Sequence, residues 1–247
     1  MRLTWEGLGW ERLAPRVGRR RLPGWDCTAG LVVGEGAALM IDAGSSLAEG
    51  AALCADARAL TGGRVTHIAL THPHFDHVFG AAAFAGARIL VADGSSGAYE
   101  NGRDELCADA VRNGLDPRAA EEAADTLVRP RGFVRSTWDL DLGGVEVRLV
   151  RTGEGHTAHD LVAVVSGDPA VVFCGDLVEE SGEPQAGPDA VPSRWPAALD
   201  RLLGLGGENA LYVPGHGAVV DAMFVRTQRD ALAARFGATT SGTAGSG

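Results

Sequence analysis

The stretch Thr71-His72-Pro73-His74-Phe75-Asp76-His77 places three imidazoles and a carboxylate within six residues. It follows the apolar run Val65 to Leu70, which reads as a strand. His72 and His74 are two apart, so an extended chain aims both rings to one side. Asp76 and His77 add two more ligand-type groups from the adjoining turn. A catalytic zinc with one open position needs about three protein ligands. Four from one segment imply two metal ions, with the remaining ligands drawn from elsewhere in the chain.

Three isolated candidates supply the remainder. His156 in Gly-Glu-Gly-His-Thr, Asp176 in Cys-Gly-Asp and His216 in Pro-Gly-His-Gly each sit just past an expected strand, with glycine beside or near. Loops held by strands are where sites are usually built, and glycine permits the tight turns they need. Of the other histidines, His67 falls inside a strand and is expected to be structural. His159 is expected to face solvent or serve structure, with a place behind the ligands or near substrate as its functional reading.

Outward from this cluster, Leu31 to Asp42 reads as two apolar runs broken by Gly34-Glu35-Gly36, a hairpin. Ser46 and Glu49 form a capping box for a helix whose Leu53, Ala57 and Leu60 share a face before Gly62-Gly63. The pattern is helical between about 93 and 135, with Asp116-Pro117 opening one helix, and carries no ligand motif, as in an insertion covering a site. From Trp138 the period becomes two, around a Gly143-Gly144 turn. Runs Leu161 to Val165 and Ala170 to Cys174 follow, then a helix capped by Ser193, a strand at Leu211 to Val213, and a last helix from Asp221 to Phe236. This predicts one layered α/β domain over 1–237 in two similar halves divided near residue 135, and a disordered tail over 238–247.

Composition excludes several chemistries. All 22 basic residues are arginine, so neither Schiff-base lysine chemistry nor a phosphate-loop lysine is available. A formal net charge of −10 opposes nucleic-acid binding. Arg12, Arg16, Arg19, Arg20 and Arg21 are expected to form a solvated hairpin rather than an anion-binding patch. The four cysteines are scattered, without a C-x-x-C pair, and read as small buried hydrophobes. No apolar run is long enough to span a membrane, and Met1 to Trp10 lacks a signal core, so a soluble cytoplasmic protein is expected.

In order, Asp42, His72-x-His74-x-Asp76-His77, His156, Asp176 and His216 resemble the five motifs of the metallo-β-lactamase-fold hydrolases, across nearly the whole chain. The resemblance implies an αββα sandwich with a two-metal site at one edge of the sheets. It implies that His72, His74 and His156 hold one metal, that Asp76, His77 and His216 hold the other, and that Asp176 bridges them. Asp42 would then orient the metal loop from behind. Asp160 departs from the pattern: glyoxalase II and lactonase members often have histidine four residues after the third-motif histidine.

These residues predict a hydrolase with two divalent ions, most simply zinc, in which ionised water attacks a small ester, thioester or lactone. Asp76 and Asp176 are the carboxylates placed in that chemistry. The expected partner is a small-molecule substrate, with no nucleic acid and no membrane. In the resemblance, true β-lactamases put cysteine or serine at the fourth motif or hold the substrate carboxylate with lysine, whereas this chain has Asp176 and no lysine. β-Lactam hydrolysis, phosphodiester cleavage and mononuclear-iron persulfide dioxygenation are the alternatives.

Overall fold

The computed structural model describes residues 4–237; the expected tail over 238–247 lies outside the described residues. Seven strands form one sheet in chain order: β1 (Glu11–Ala14), β2 (Val17–Arg21), β3 (Thr28–Val33), β4 (Ala38–Ile41), β5 (His67–Ala69), β6 (Arg88–Ala92) and β7 (Gly132–Val134). The first four pair antiparallel and the last four parallel. Five strands form the second sheet: β8 (Thr137–Asp141), β9 (Glu146–Val150), β10 (Val162–Val165), β11 (Val171–Glu179) and β12 (Leu211–His216), in the order β12-β11-β10-β9-β8. The chain changes sheet between Val134 and Thr137, where the period of two was expected to begin.

Three hydrophobic clusters account for the layering. Leu39, Ile41, Leu90, Leu149, Phe173 and Val213 are buried between the sheets. The other face of the first sheet is covered by α1 (Leu47–Thr61), α2 (Phe75–Val78), α3 (Ser96–Asn101), α4 (Arg103–Arg112) and α5 (Pro117–Asp125). The other face of the second sheet is covered by α6 (Trp195–Gly206) and α7 (Ala222–Phe236). The result is the αββα sandwich that the motifs implied. Among the described residues no helix is long and apolar enough to cross a membrane.

Local signals explain most elements. Ser46 Oγ accepts from Glu49 N and Leu53 and Ala57 are buried, while the Glu49 carboxylate reaches one residue further back than a capping box requires, to Ser45 N and Oγ. Such a cap contributes about 1 kcal/mol. Asp116 and Asp221 cap α5 and α7 with their carboxylates. Ser193 does not cap α6: Arg194 stands at that position without a side-chain bond, and Pro196 in the first turn presets the helix.

Two strands exceed the sequence reading. β6 is buried at four of its five positions and so lacks alternation, and β7 has only three residues. Between them the helical segment runs as α3, α4 and α5, with Leu106, Ala110, Ala120, Ala123 and Ala124 buried against the first sheet's outer layer.

The arginine hairpin forms, but Arg19 departs from the solvated reading. It is 3% exposed, its Nε donates to Glu11 at 2.7 Å, and its Nη1 donates to Gly217 O at 2.8 Å, tying β2 to the residue after His216. Arg16, Arg20 and Arg21 pair with Glu35, Asp56 and Asp26, so little of this charge is free for an anionic partner. Cys27 and Cys174 are buried, Cys54 and Cys107 half-buried, and all four are free.

Candidate metal centre

The centre is assembled where several strands of both sheets end. Asp42 follows β4, the His72-to-His77 segment follows β5 and enters α2, and His156 lies on the loop after β9. Asp176 and His216 were expected just past strands and instead lie within β11 and β12. An irregular register explains this. Gly175 pairs with Pro214 and Glu179 with His216, so β11 advances four residues while β12 advances two. Gly175 turns the strand there with φ +54°, a conformation that favours glycine.

All seven predicted ligand residues come together. Ligand atoms of His72, His74, His156 and Asp176 lie within 4.8 Å of one another, as do those of His77, Asp176 and His216. Asp176 belongs to both groups. Its Oδ2 is 3.6 Å from His72 Nε2, 3.4 Å from His156 Nε2 and 3.3 Å from His216 Nε2, and its Oδ1 is 3.2 Å from His77 Nε2. Asp76 Oδ2 is 3.3 Å from His216 Nε2 and 3.6 Å from His77 Nε2.

Each of the five rings has its outer nitrogen against an oxygen, which orients the ring and turns its other nitrogen inward. His77 Nδ1 meets Asp42 Oδ2 at 2.9 Å. His72 Nδ1 meets Thr71 Oγ1 at 2.9 Å, and that hydroxyl donates to Asp42 Oδ2 at 2.8 Å. Thr71 N donates to Asp42 Oδ1, so one carboxylate orients two imidazoles and the loop between them. Asp42 adopts φ +57° to do this, an uncommon conformation for a non-glycine residue. His74 Nε2 meets Asp189 Oδ2 at 3.0 Å, His156 Nδ1 meets Gln185 O at 3.0 Å, and His216 Nδ1 meets Trp25 O at 2.6 Å.

The electrostatics call for cations. Burial drives the His72 ring well below the usual imidazole range and His156 down to about 4, so both stay neutral. Burial opposes charge on His216 too, but Asp176 and Asp76 outweigh it and raise that ring to about 12. The Asp176 carboxyl, despite its burial, is held well below its ordinary value by the surrounding imidazoles, His77 and His216 foremost. Buried His72 Nε2 and Asp176 Oδ1 have no hydrogen-bond partner, as expected of atoms that await a metal. Imidazole nitrogens and carboxylate oxygens are fitting donors for zinc.

Other groups at the centre divide by geometry. Cys27 Sγ lies 3.8 Å from both ring nitrogens of His77, hence off the lone-pair axis of Nε2, and it donates to Asp76 O at 3.2 Å. With Asp76 and His77 it forms a third group whose ligand atoms lie within 4.8 Å of one another, and burial pushes its thiol up to about 11. Asp160 turns back to accept from Thr157 N and Oγ1, which staples the His156 loop, and burial raises its carboxyl to about 7. His159 is half-buried with its ring against Gly94, outside the metal groups, and His67 bonds Thr66 Oγ1.

Asp189, Gln185, Trp25 and Thr71 were missed in the sequence. The first three act on rings 115, 29 and 191 residues away, and no spacing reports such contacts. Thr71 lies at the head of the histidine-rich stretch, and its hydroxyl next to His72 was the one available signal.

Above the centre opens a cavity of about 860 Å³. Its floor includes His74, Asp76, His156, Asp176 and His216, and one wall comes from α3 and α4.

Comparison with known proteins gives concordant results. The profile of the metallo-beta-lactamase superfamily matches residues 22–216. A "Metallo-beta-lactamase type 2" of Bacillus cereus is 28% identical over 160 residues, 64% of this chain and 54% of that protein. The match thus spans about half the length of this curated relative. A metallo-beta-lactamase from Pontibacter korlensis superposes with TM-score 0.69 at 19% identity, covering 90% of this chain and 97% of that one. A metallo beta lactamase from Hirschia baltica gives 0.64 at 15% identity, with 90% and 96% covered. These two likenesses concern the fold alone. With its five motifs in order and the family profile running from Leu22 to His216, the chain belongs to the metallo-beta-lactamase superfamily.

Proposed function

We propose that the chain is a dinuclear zinc-dependent hydrolase of small esters, thioesters or lactones. The observation that carries this reading is the set of five imidazoles whose outer nitrogens rest on oxygens while their inner nitrogens surround Asp76 and Asp176. Bound divalent ions would supply Lewis acidity here, ionising water near neutral pH and polarising a substrate carbonyl.

His72 Nε2, His74 Nδ1 and His156 Nε2 would hold one metal, and Asp76, His77 and His216 would hold the other. Asp176, within 3.6 Å of rings in both sets, is placed to serve as the bridge. The two carboxylates offset part of the charge that two divalent ions bring. Asp42 prevents His72 and His77 from rotating, so the donors are preorganised. The cavity admits a small substrate over this floor, and the walls from α3 and α4 are placed to set which acyl group fits. No serine or cysteine nucleophile is required.

Carbonyl compounds with good leaving groups suit such a centre because the oxyanion of the tetrahedral intermediate forms beside positive charge. The likeness to the Bacillus cereus protein favours a second reading, β-lactam hydrolysis. An aspartate at the fourth motif and the absence of lysine rank that reading lower. The expected result on zinc-loaded protein is turnover of at least one small thioester, lactone or aryl ester, faster than that of penicillins, carbapenems or a bis-aryl phosphodiester. Efficient carbapenem or penicillin hydrolysis with inert esters and thioesters would overturn the ranking.

A further inference from the structure

Glu179 is a carboxylate that the chemistry above does not use. It ends β11, is 9% exposed and lines the cavity. The irregular register that brings Asp176 to the cavity floor also brings Glu179 opposite His216. Gln228 of α7 holds this stretch of backbone, accepting from Glu179 N at 3.1 Å and donating to Leu177 O at 2.7 Å. The Glu179 side chain itself is nearly without partners. Oε2 accepts from Gln185 N at 3.3 Å, Oε1 accepts no hydrogen bond, and no cationic side chain pairs with it among the described residues. Its oxygens are not in any group that could hold a metal.

Glu179 Oε1 is not fully enclosed by protein atoms, so it is open to a partner entering the cavity. Apart from the imidazoles of the centre, with His216 opposite Glu179 in the register, the cavity wall offers no free cationic side chain among the described residues. Arg112 is its only arginine, the chain has no lysine, and Arg112 is taken by Asp109 at 3.0 Å. Glu105 and Asp189 make the wall more acidic still. The same cavity is lined by an aromatic pair: Trp25, whose carbonyl holds His216, meets Phe75 edge to face at 5.2 Å. A carboxylate and aromatic faces lining one cavity are the chemistry that receives an ammonium group.

Resting on the reading of the site as a carbonyl hydrolase, we propose that its substrate carries an ammonium group, received by Glu179 in the cavity that Trp25 also lines. A carboxylate-bearing substrate would meet an acidic wall in the same place.

The test uses three aryl esters of matched shape on zinc-loaded protein, ending in trimethylammonium, tert-butyl or carboxylate. The cationic ester should exceed the neutral one in kcat/KM by at least about tenfold and the anionic one by more. Glu179→Gln should bring the cationic-to-neutral ratio close to one at unchanged metal content, and Glu179→Lys should turn the preference toward the carboxylate. Equal rates for cationic and neutral esters, faster anionic turnover, or a ratio untouched by Glu179→Gln would each overturn the proposal. Equilibrium binding of benzyltrimethylammonium to the zinc-loaded protein gives a readout free of turnover. It should weaken at least about tenfold in Glu179→Gln, and absence of binding to the unsubstituted protein counts against the proposal. If no ester is hydrolysed yet this binding and its loss are seen, the hydrolase reading fails and the ammonium site stands.

Discussion

Replacing Asp176 with alanine is expected to lower hydrolysis at least about a hundredfold and to reduce bound metal from two ions per chain to one or fewer. The expectation rests on its position. Asp176 is the side chain shared by the His72/His74/His156 and the His77/His216 groups, and its oxygens lie 3.2 to 3.6 Å from four imidazoles. Removing it leaves Asp76 as the one carboxylate on the inner side of the rings, since Asp42 and Asp189 meet outer nitrogens. The hydrophobic clusters are untouched, so far-UV circular dichroism should not change. His74→Ala, which opens the first group, should be similarly severe. His159→Ala, whose ring packs on Gly94 away from the metal groups, should cost less than about tenfold. If His159→Ala proved as damaging as Asp176→Ala, the division between ligands and surrounding residues would be wrong.

Gly215→Ala is expected to be nearly as damaging although the glycine has no side chain to contribute. A Cβ at Gly215 would stand 1.8 Å from Asp176 Oδ1 and 2.8 Å from Gly175 C. Backbone on one side and the central carboxylate on the other leave no direction of escape, so either the carboxylate turns away from the rings or β11 and β12 separate. Overpacking of this kind costs about 1–3 kcal/mol. Gly204→Ala in α6, where an added Cβ meets nothing within 4 Å, is the matched control and should be neutral or stabilising by about 0.5–1 kcal/mol. Metal content and thermal unfolding of the two variants decide it. Gly215→Ala with full metal and an unshifted Tm would show that the Asp176 position is less constrained than the packing requires.

The range of each interaction decides whether it is legible in the sequence. The His72-to-His77 segment announced itself because its four groups are neighbours in the chain, and α1 did so because Ser46 and Glu49 cap it locally. The sheet change after Val134 was visible because the exposure of β8 alternates. β6 was silent because it is buried at nearly every position, and a strand buried on both faces loses its period. Arg19 looked like one of five solvated arginines, and its contact with Gly217 spans 198 residues. Glu179 belongs to no local motif, and only the β11 to β12 register brings it to the cavity. The motifs thus pointed to the candidate ligands, whereas the residues that orient their rings are fixed by tertiary contact.

The central claim is that this constellation holds two metals, and elemental analysis of protein purified without chelator tests it most directly. About two metal ions per chain, mainly zinc, is the predicted result. One iron per chain with negligible zinc would contradict the account and make the dioxygenase alternative the better reading.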